Sequence, residues 1–128
     1  MEHDAFLAAV RERGAYDQDE ARSATVGVLA MLGRRLPPES AEHLADQLPG
    51  SLGEILGDAQ ARSETWGVQE FLARIAQATG VDETSAEEEA RAVLSTVGET
   101  VSGGELNKVL GRLPAGYAAL FGHPELAG

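Results

Sequence analysis

The chain has 128 residues, enough for one ordinary domain, and 21 Asp and Glu against 10 Lys and Arg give it a formal charge of −11 at neutral pH. It has no cysteine, which excludes disulfides, thiol catalysis, iron–sulfur ligation and cysteine-based zinc sites. Both halves are acidic, with 11 acidic and 6 basic residues over Met1–Arg62 and 10 and 4 over Ser63–Gly128. Neither offers the Lys/Arg stripe that nucleic acid or an anionic membrane calls for, so no nucleic-acid or membrane partner is expected.

The first residues, MEHDAFLAAVRERG, lack the basic n-region and apolar h-region of a signal peptide. No apolar run approaches the roughly 18 residues of a membrane span, and a cytoplasmic location is expected. Phe6, Leu7 and Val10 form the face of a first helix. Asp17-x-x-Glu20 resembles a capping box, with Asp replacing Ser or Thr, that opens a second. Ala21, Thr25, Val28, Leu29, Leu32 and Leu36, spaced at three and four, form its apolar stripe. Pro37-Pro38-Glu39 starts a third helix, which carries Ala41, Leu44, Ala45 and Leu48. Leu48-Pro49 ends that helix, because proline expels the preceding residue from helical backbone. The same proline is expected at the first position of a short fourth helix, Gly50–Leu56. The polar stretch GDAQARSET, Gly57–Thr65, follows.

The plan then recurs. A shift of 65 residues, without a gap, lays Phe6-Leu7-Ala8 on Phe71-Leu72-Ala73, Val28-Leu29 on Val93-Leu94, Gly33 on Gly98 and Leu48-Pro49 on Leu113-Pro114. Apolar positions fall on apolar positions while charged ones scatter, as two copies of one backbone plan would. Ala86, Ala90, Val93, Leu94, Val97 and Val101 restate the long stripe, and Leu106, Val109, Leu110 and Leu113 the third face. Asp82 or Thr84 can cap the sixth helix, Ser102-x-x-Glu105 the seventh, and Ala115–Phe121 forms the eighth. The expected fold is therefore an all-α compact bundle of about eight helices. It is read as a single domain over 1–128, built from two four-helix repeats, about 4–57 and 69–122, with a polar linker at 58–68.

The stretch AVLSTVGETVSGGELNKVLGRLP from Ala92, its weaker cousin GVLAMLGRRLPPESAEHLADQLP from Gly27, and the following ALF resemble the family known as domain of unknown function 2267. The resemblance runs from about Phe6 to Phe121. It implies an all-helical, internally duplicated, cytosolic bacterial protein and carries no established activity or catalytic residues. Pro37-Pro38 departs from the Ser102-Gly103-Gly104 turn of the second copy.

Few residues are of types that carry chemistry. Glu39, His43 and Asp46, at i, i+4 and i+7, share a helix face and are acceptable ligands for zinc or manganese. A solvated face has the same spacing, and the equivalent Gly104, Lys108 and Gly111 cannot rebuild a site, so no metal and no cofactor is expected. Ser102-Gly103-Gly104 could present N–H groups to an anion, but Glu105 opposes that and helix capping explains the motif. Glu87, Glu88 and Glu89 point in different directions on a helix and read as a solvated run near a helix N-terminus. There is no G-x-S-x-G elbow, and His3, His43 and His123 lie in unrelated contexts. Trp66 reads first as packing between the copies. With Tyr117 and Phe121 it is also a candidate to hold a protein partner.

Two functions fit this pattern. The first is a non-enzymatic interaction protein that binds another protein or itself, possible homodimer included. The alternative is a small-molecule or metal-binding protein, or a small enzyme, with a pocket between the two repeats.

Overall fold

The computed structural model describes residues 2–59 and 64–123. Part of the expected linker, 60–63, lies outside them. The described residues hold eight helices and no strand: α1 His3–Gly14, α2 Gln18–Arg35, α3 Pro38–Asp46, α4 Gly50–Gly57, α5 Val68–Thr79, α6 Glu83–Thr100, α7 Gly103–Leu110 and α8 Tyr117–Leu120. None is long and apolar enough to cross a membrane.

The helix starts follow the capping chemistry. The box at α2 is complete, with the Glu20 N–H donating to Asp17 Oδ1 at 2.8 Å and the Asp17 N–H to Glu20 Oε1 at 2.9 Å. At α6 the cap is Asp82, which accepts the Ser85 N–H at 2.8 Å. Its carboxyl is held below the usual range chiefly by that backbone bond. Ser102 caps α7 by accepting the Glu105 N–H at 3.1 Å. The Glu105 side chain does not complete that box. Gln47, from the end of α3, takes the Ser102 N–H at 2.9 Å instead.

The helix ends correct the sequence reading. α3 stops at Asp46 and α7 at Leu110, before the Leu-Pro pairs. The Gln47 and Leu48 N–H groups bond three residues back, to Leu44 and Ala45, and the Arg112 and Leu113 N–H groups do the same to Val109 and Leu110. Each helix thus tightens into a final 3₁₀-type turn that runs up to the proline. Pro49 is extended, with φ −65° and ψ 125°, and sits just before α4 rather than at its first position. α8 is one turn, shorter than the expected Ala115–Phe121, because Gly116 at φ 104° turns the chain immediately before it.

The long helices α2 and α6 pack against each other. α1 lies against both of them, and so does α5. α4 covers α2, α8 covers α6, and α3 meets α7. The first four helices are thus interleaved with the last four, and one continuous core runs from Phe6 to Phe121. Both long stripes are inside: Ala21, Thr25, Val28, Leu29, Leu32, Ala86, Ala90, Val93, Leu94 and Val97 are all fully buried. From His3 to Val68, Gln18 to Glu83 and Pro38 to Gly103, the first three helix starts recur at the same step of 65.

Close helix approach rests on a small residue in α2. A methyl on Gly33 would overlap the Leu56 carbonyl oxygen of α4, which is backbone and cannot rotate away. Gly33→Ala should therefore destabilise the fold by about 1–3 kcal/mol, although alanine gains up to about 1 kcal/mol in intrinsic helix propensity. Urea unfolding followed by circular dichroism measures the difference.

Candidate functional site

The three candidates for holding a partner are inside the protein, as the first reading of Trp66 as a packing residue expects. Trp66 is 7% exposed, Tyr117 0% and Phe121 1%. Their burial follows from how the segment before α5 is fastened. The Trp66 carbonyl accepts Arg35 Nε at 2.7 Å and the Tyr117 hydroxyl at 2.9 Å. The Arg34 and Arg74 guanidinium groups lie 5.7 and 5.0 Å from the Trp66 ring centre, and Arg35 lies 5.6 Å from that of Tyr117. Phe71 packs against Tyr117 with ring centres 5.1 Å apart and planes tilted by 55°. Burial pushes the Tyr117 hydroxyl up to about 12, with Arg35 pulling the other way. Tyr117→Phe keeps the ring and loses one of the two donors to the Trp66 carbonyl. It should cost about 1 kcal/mol in thermal or denaturant unfolding and leave tryptophan fluorescence that of a buried indole.

Glu39 and His43 line a groove of about 420 Å³ between α3 and α7, together with Ser40, Glu105, Lys108 and Arg112. Asp46 does not line it. Among the described residues no three His, Asp or Glu side chains are gathered closely enough to hold a metal ion. His3 opens α1, His43 is exposed on α3, and His123 follows α8, so the structure does not bring the histidines together.

The larger cleft, about 530 Å³, lies where the α1–α2 corner meets the α5–α6 corner. It is lined by Gly14, Ala15, Tyr16, Asp19, Glu20 and Ser23 from one side and Thr79, Val81, Ser85, Glu88 and Glu89 from the other. Positions 65 apart meet around it: Gly14 with Thr79, Tyr16 with Val81, Glu20 with Ser85 and Ser23 with Glu88. Both corners turn through left-handed backbone, at Ala15 with φ 55° and at Gly80 with φ 75°. Its charge is one-sided: four carboxyl and four hydroxyl side chains, and no Lys, Arg or His.

Two groups in this cleft escaped the sequence reading. Glu89 does not belong to a solvated run. Glu87 is exposed and pairs with Arg91 on its own helix at 3.2 Å, whereas Glu89 is 7% exposed. A signal was present, because Glu89 lies three residues after Ala86 and four before Val93, on the buried stripe. The equivalent position in the first half is Ala24. Thr79 donates its hydroxyl to Glu89 Oε1 at 2.7 Å, and burial still holds the Glu89 carboxyl above the usual carboxylate range. The second group is Tyr16, whose hydroxyl oxygen is buried without a hydrogen-bond partner. Burial, then Glu89, Glu88 and Glu20, push that hydroxyl up to about 12, so it is neutral and protonated at physiological pH.

An all-helical chain with a polar cleft between two corners is the class that the coordinates define. The chain belongs to the family described as uncharacterized conserved protein DUF2267, whose model matches residues 3–120. That description assigns no catalytic activity. No curated protein matches the chain.

A raised folded-state pKa at Glu89 means that the native state holds this proton more tightly than the unfolded chain does. Stability is therefore fullest below the ordinary Glu range and falls as pH rises through the folded value. Glu89→Gln keeps an acceptor for Thr79 and removes the buried charge. The variant should melt higher than wild type at pH 7, and the gap should close as pH drops below about 4. Melting curves across pH 3–8 test this.

Proposed function

We propose that the protein is a non-enzymatic cytoplasmic binding module of duplicated helical design, and that it recognises a small polar ligand in the cleft between the α1–α2 and α5–α6 corners. The observation that carries this reading is a pair of polar groups in the cleft whose burial the fold does not compensate: a carboxylate, Glu89, without a counter-charge, and the Tyr16 hydroxyl, without a hydrogen-bond partner. Their equivalents, Ala24 and Val81, are apolar and would satisfy the fold without cost. Volume supports the reading too, since about 530 Å³ falls within the range of small-molecule sites. Hydroxyls and carboxyls without a neighbouring histidine, amine or thiol suit recognition better than nucleophilic chemistry. Docking of a protein partner has less support. Trp66, Tyr117 and Phe121 are buried, and among the described residues Val26 is the one large apolar side chain that is exposed.

The test is a screen of neutral, anionic and cationic small molecules against the ¹⁵N-labelled chain by amide chemical shift. Ligands that bind should move the amides of Gly14, Tyr16, Val81 and Glu89 together, and Ser23→Phe, which fills the cleft from its rim, should abolish the response. Shifts confined to other surfaces would overturn the assignment.

A further inference from the structure

Resting on the reading of this cleft as the binding site, we infer that its ligand is a small organic cation carrying more than one positive charge, a short-chain diammonium compound being the simplest case, with Glu89 and Tyr16 as the anchoring pair. Charge argues first. Asp19 and Glu20 reach the cleft from one corner and Glu88 and Glu89 from the other, and no cationic side chain joins them. Two acidic lips on opposite elements favour a ligand with positive charge at both ends.

Glu89 supplies an independent argument. It is more than nine-tenths buried, yet its hydrogen-bond partner is the neutral Thr79 hydroxyl, and no ion pair is formed with it among the described residues. A carboxylate withdrawn from water without a counter-ion is costly, and a ligand ammonium would provide that counter-ion. Tyr16 adds a third argument. Its hydroxyl oxygen is enclosed and unbonded, and it retains lone pairs to accept from an N–H donor. The same residue lines the cleft, and an aromatic ring is a favourable neighbour for an ammonium.

The same geometry disfavours a metal ion. A divalent ion needs several oxygens converging within about 2–2.6 Å, and no three of these carboxylates converge in that way. Charges distributed around about 530 Å³ suit a cation of several atoms. Because Ala24 and Val81 stand where Glu89 and Tyr16 have their equivalents, the anchoring pair occurs once per chain and the stoichiometry is one to one.

The experiment is titration calorimetry of the full chain with 1,4-diaminobutane at pH 7, run beside magnesium chloride at matched ionic strength and read in parallel by amide shifts. One-to-one binding that moves Tyr16 and Glu89, is weakened tenfold or more by Glu89→Gln, and is weakened several-fold by Tyr16→Phe supports the inference. Melting temperatures of the variants separate this loss from misfolding, because Glu89→Gln should melt higher than wild type. Equal competition by magnesium, or unchanged affinity in Glu89→Gln, would mean diffuse attraction to an acidic surface and would overturn it. If a neutral or anionic probe moves the cleft amides while the diamine at millimolar concentration does not, the cation is wrong and the cleft stands. Silence of the cleft amides towards every probe refutes both.

Discussion

The burial of α2 against α6 is the constraint on which the other features depend. Each of these helices has 18 residues and a stripe that is fully buried along most of its length. Short helices do not persist in water unaided, and neither long helix covers the other completely. α1 and α5 fill the sides by each touching both, so no helix pair in the first half completes its core without the second. This interleaving brings the two helix corners together at one end and α3 against α7 at the other. Both clefts are consequences of that crossing, and positions 65 apart line each of them.

No cation lines the acidic cleft, although Arg13 and Arg91 line the neighbouring one that shares Gly14, Ala15 and Glu88 with it. Arg34, Arg35 and Arg74 surround Trp66 and Tyr117 and fix the segment that leads into α5. Arg13 reaches from α1 to Glu99, Ser95 and Thr96 on α6 and ties the crossing from its flank. Arg91 pairs with Glu87 on its own helix. Arginine suits these places because its planar group can stack on an aromatic ring and donate several bonds at once. The result is a protein of charge −11 in which a buried carboxylate beside the cleft has been left without a counter-charge.

Local signals made most of the helices legible from sequence. Asp17, Asp82 and Ser102 mark helix starts by side-chain capping, Pro37-Pro38 does so by fixed φ, and the apolar spacing gives the buried faces. The ends were less legible, because the final turns of α3 and α7 tighten before the proline and no residue type announces that. The site was the least legible. Tyr16 and Glu89 are 73 positions apart and meet only through packing of the two corners, which periodicity within one helix cannot express. Glu89 was concealed by its neighbours, since a run of three glutamates reads as solvent-facing until the 86–89–93 register is given more weight than composition. Trp66 was legible in its first reading, as a packing residue, and its burial agrees. What the sequence could not show is how it is held: its backbone carbonyl collects two donors, Arg35 and Tyr117, from distant helices.

The difference between positions 65 apart at the two corners separates stability from function. A fold that repeats its apolar positions at a fixed step needs only small or apolar residues where the corners meet, and Ala24 and Val81 meet that need. Glu89 and Tyr16 stand at the equivalent positions and do the reverse, one burying a charge and the other an unbonded hydroxyl. Polar groups buried in this way oppose folding, even where, as at Tyr16, the rest of the side chain packs on the core. A local cost at one position of each corner, absent from its counterpart 65 residues away, is what a site leaves when binding rather than packing determines its composition.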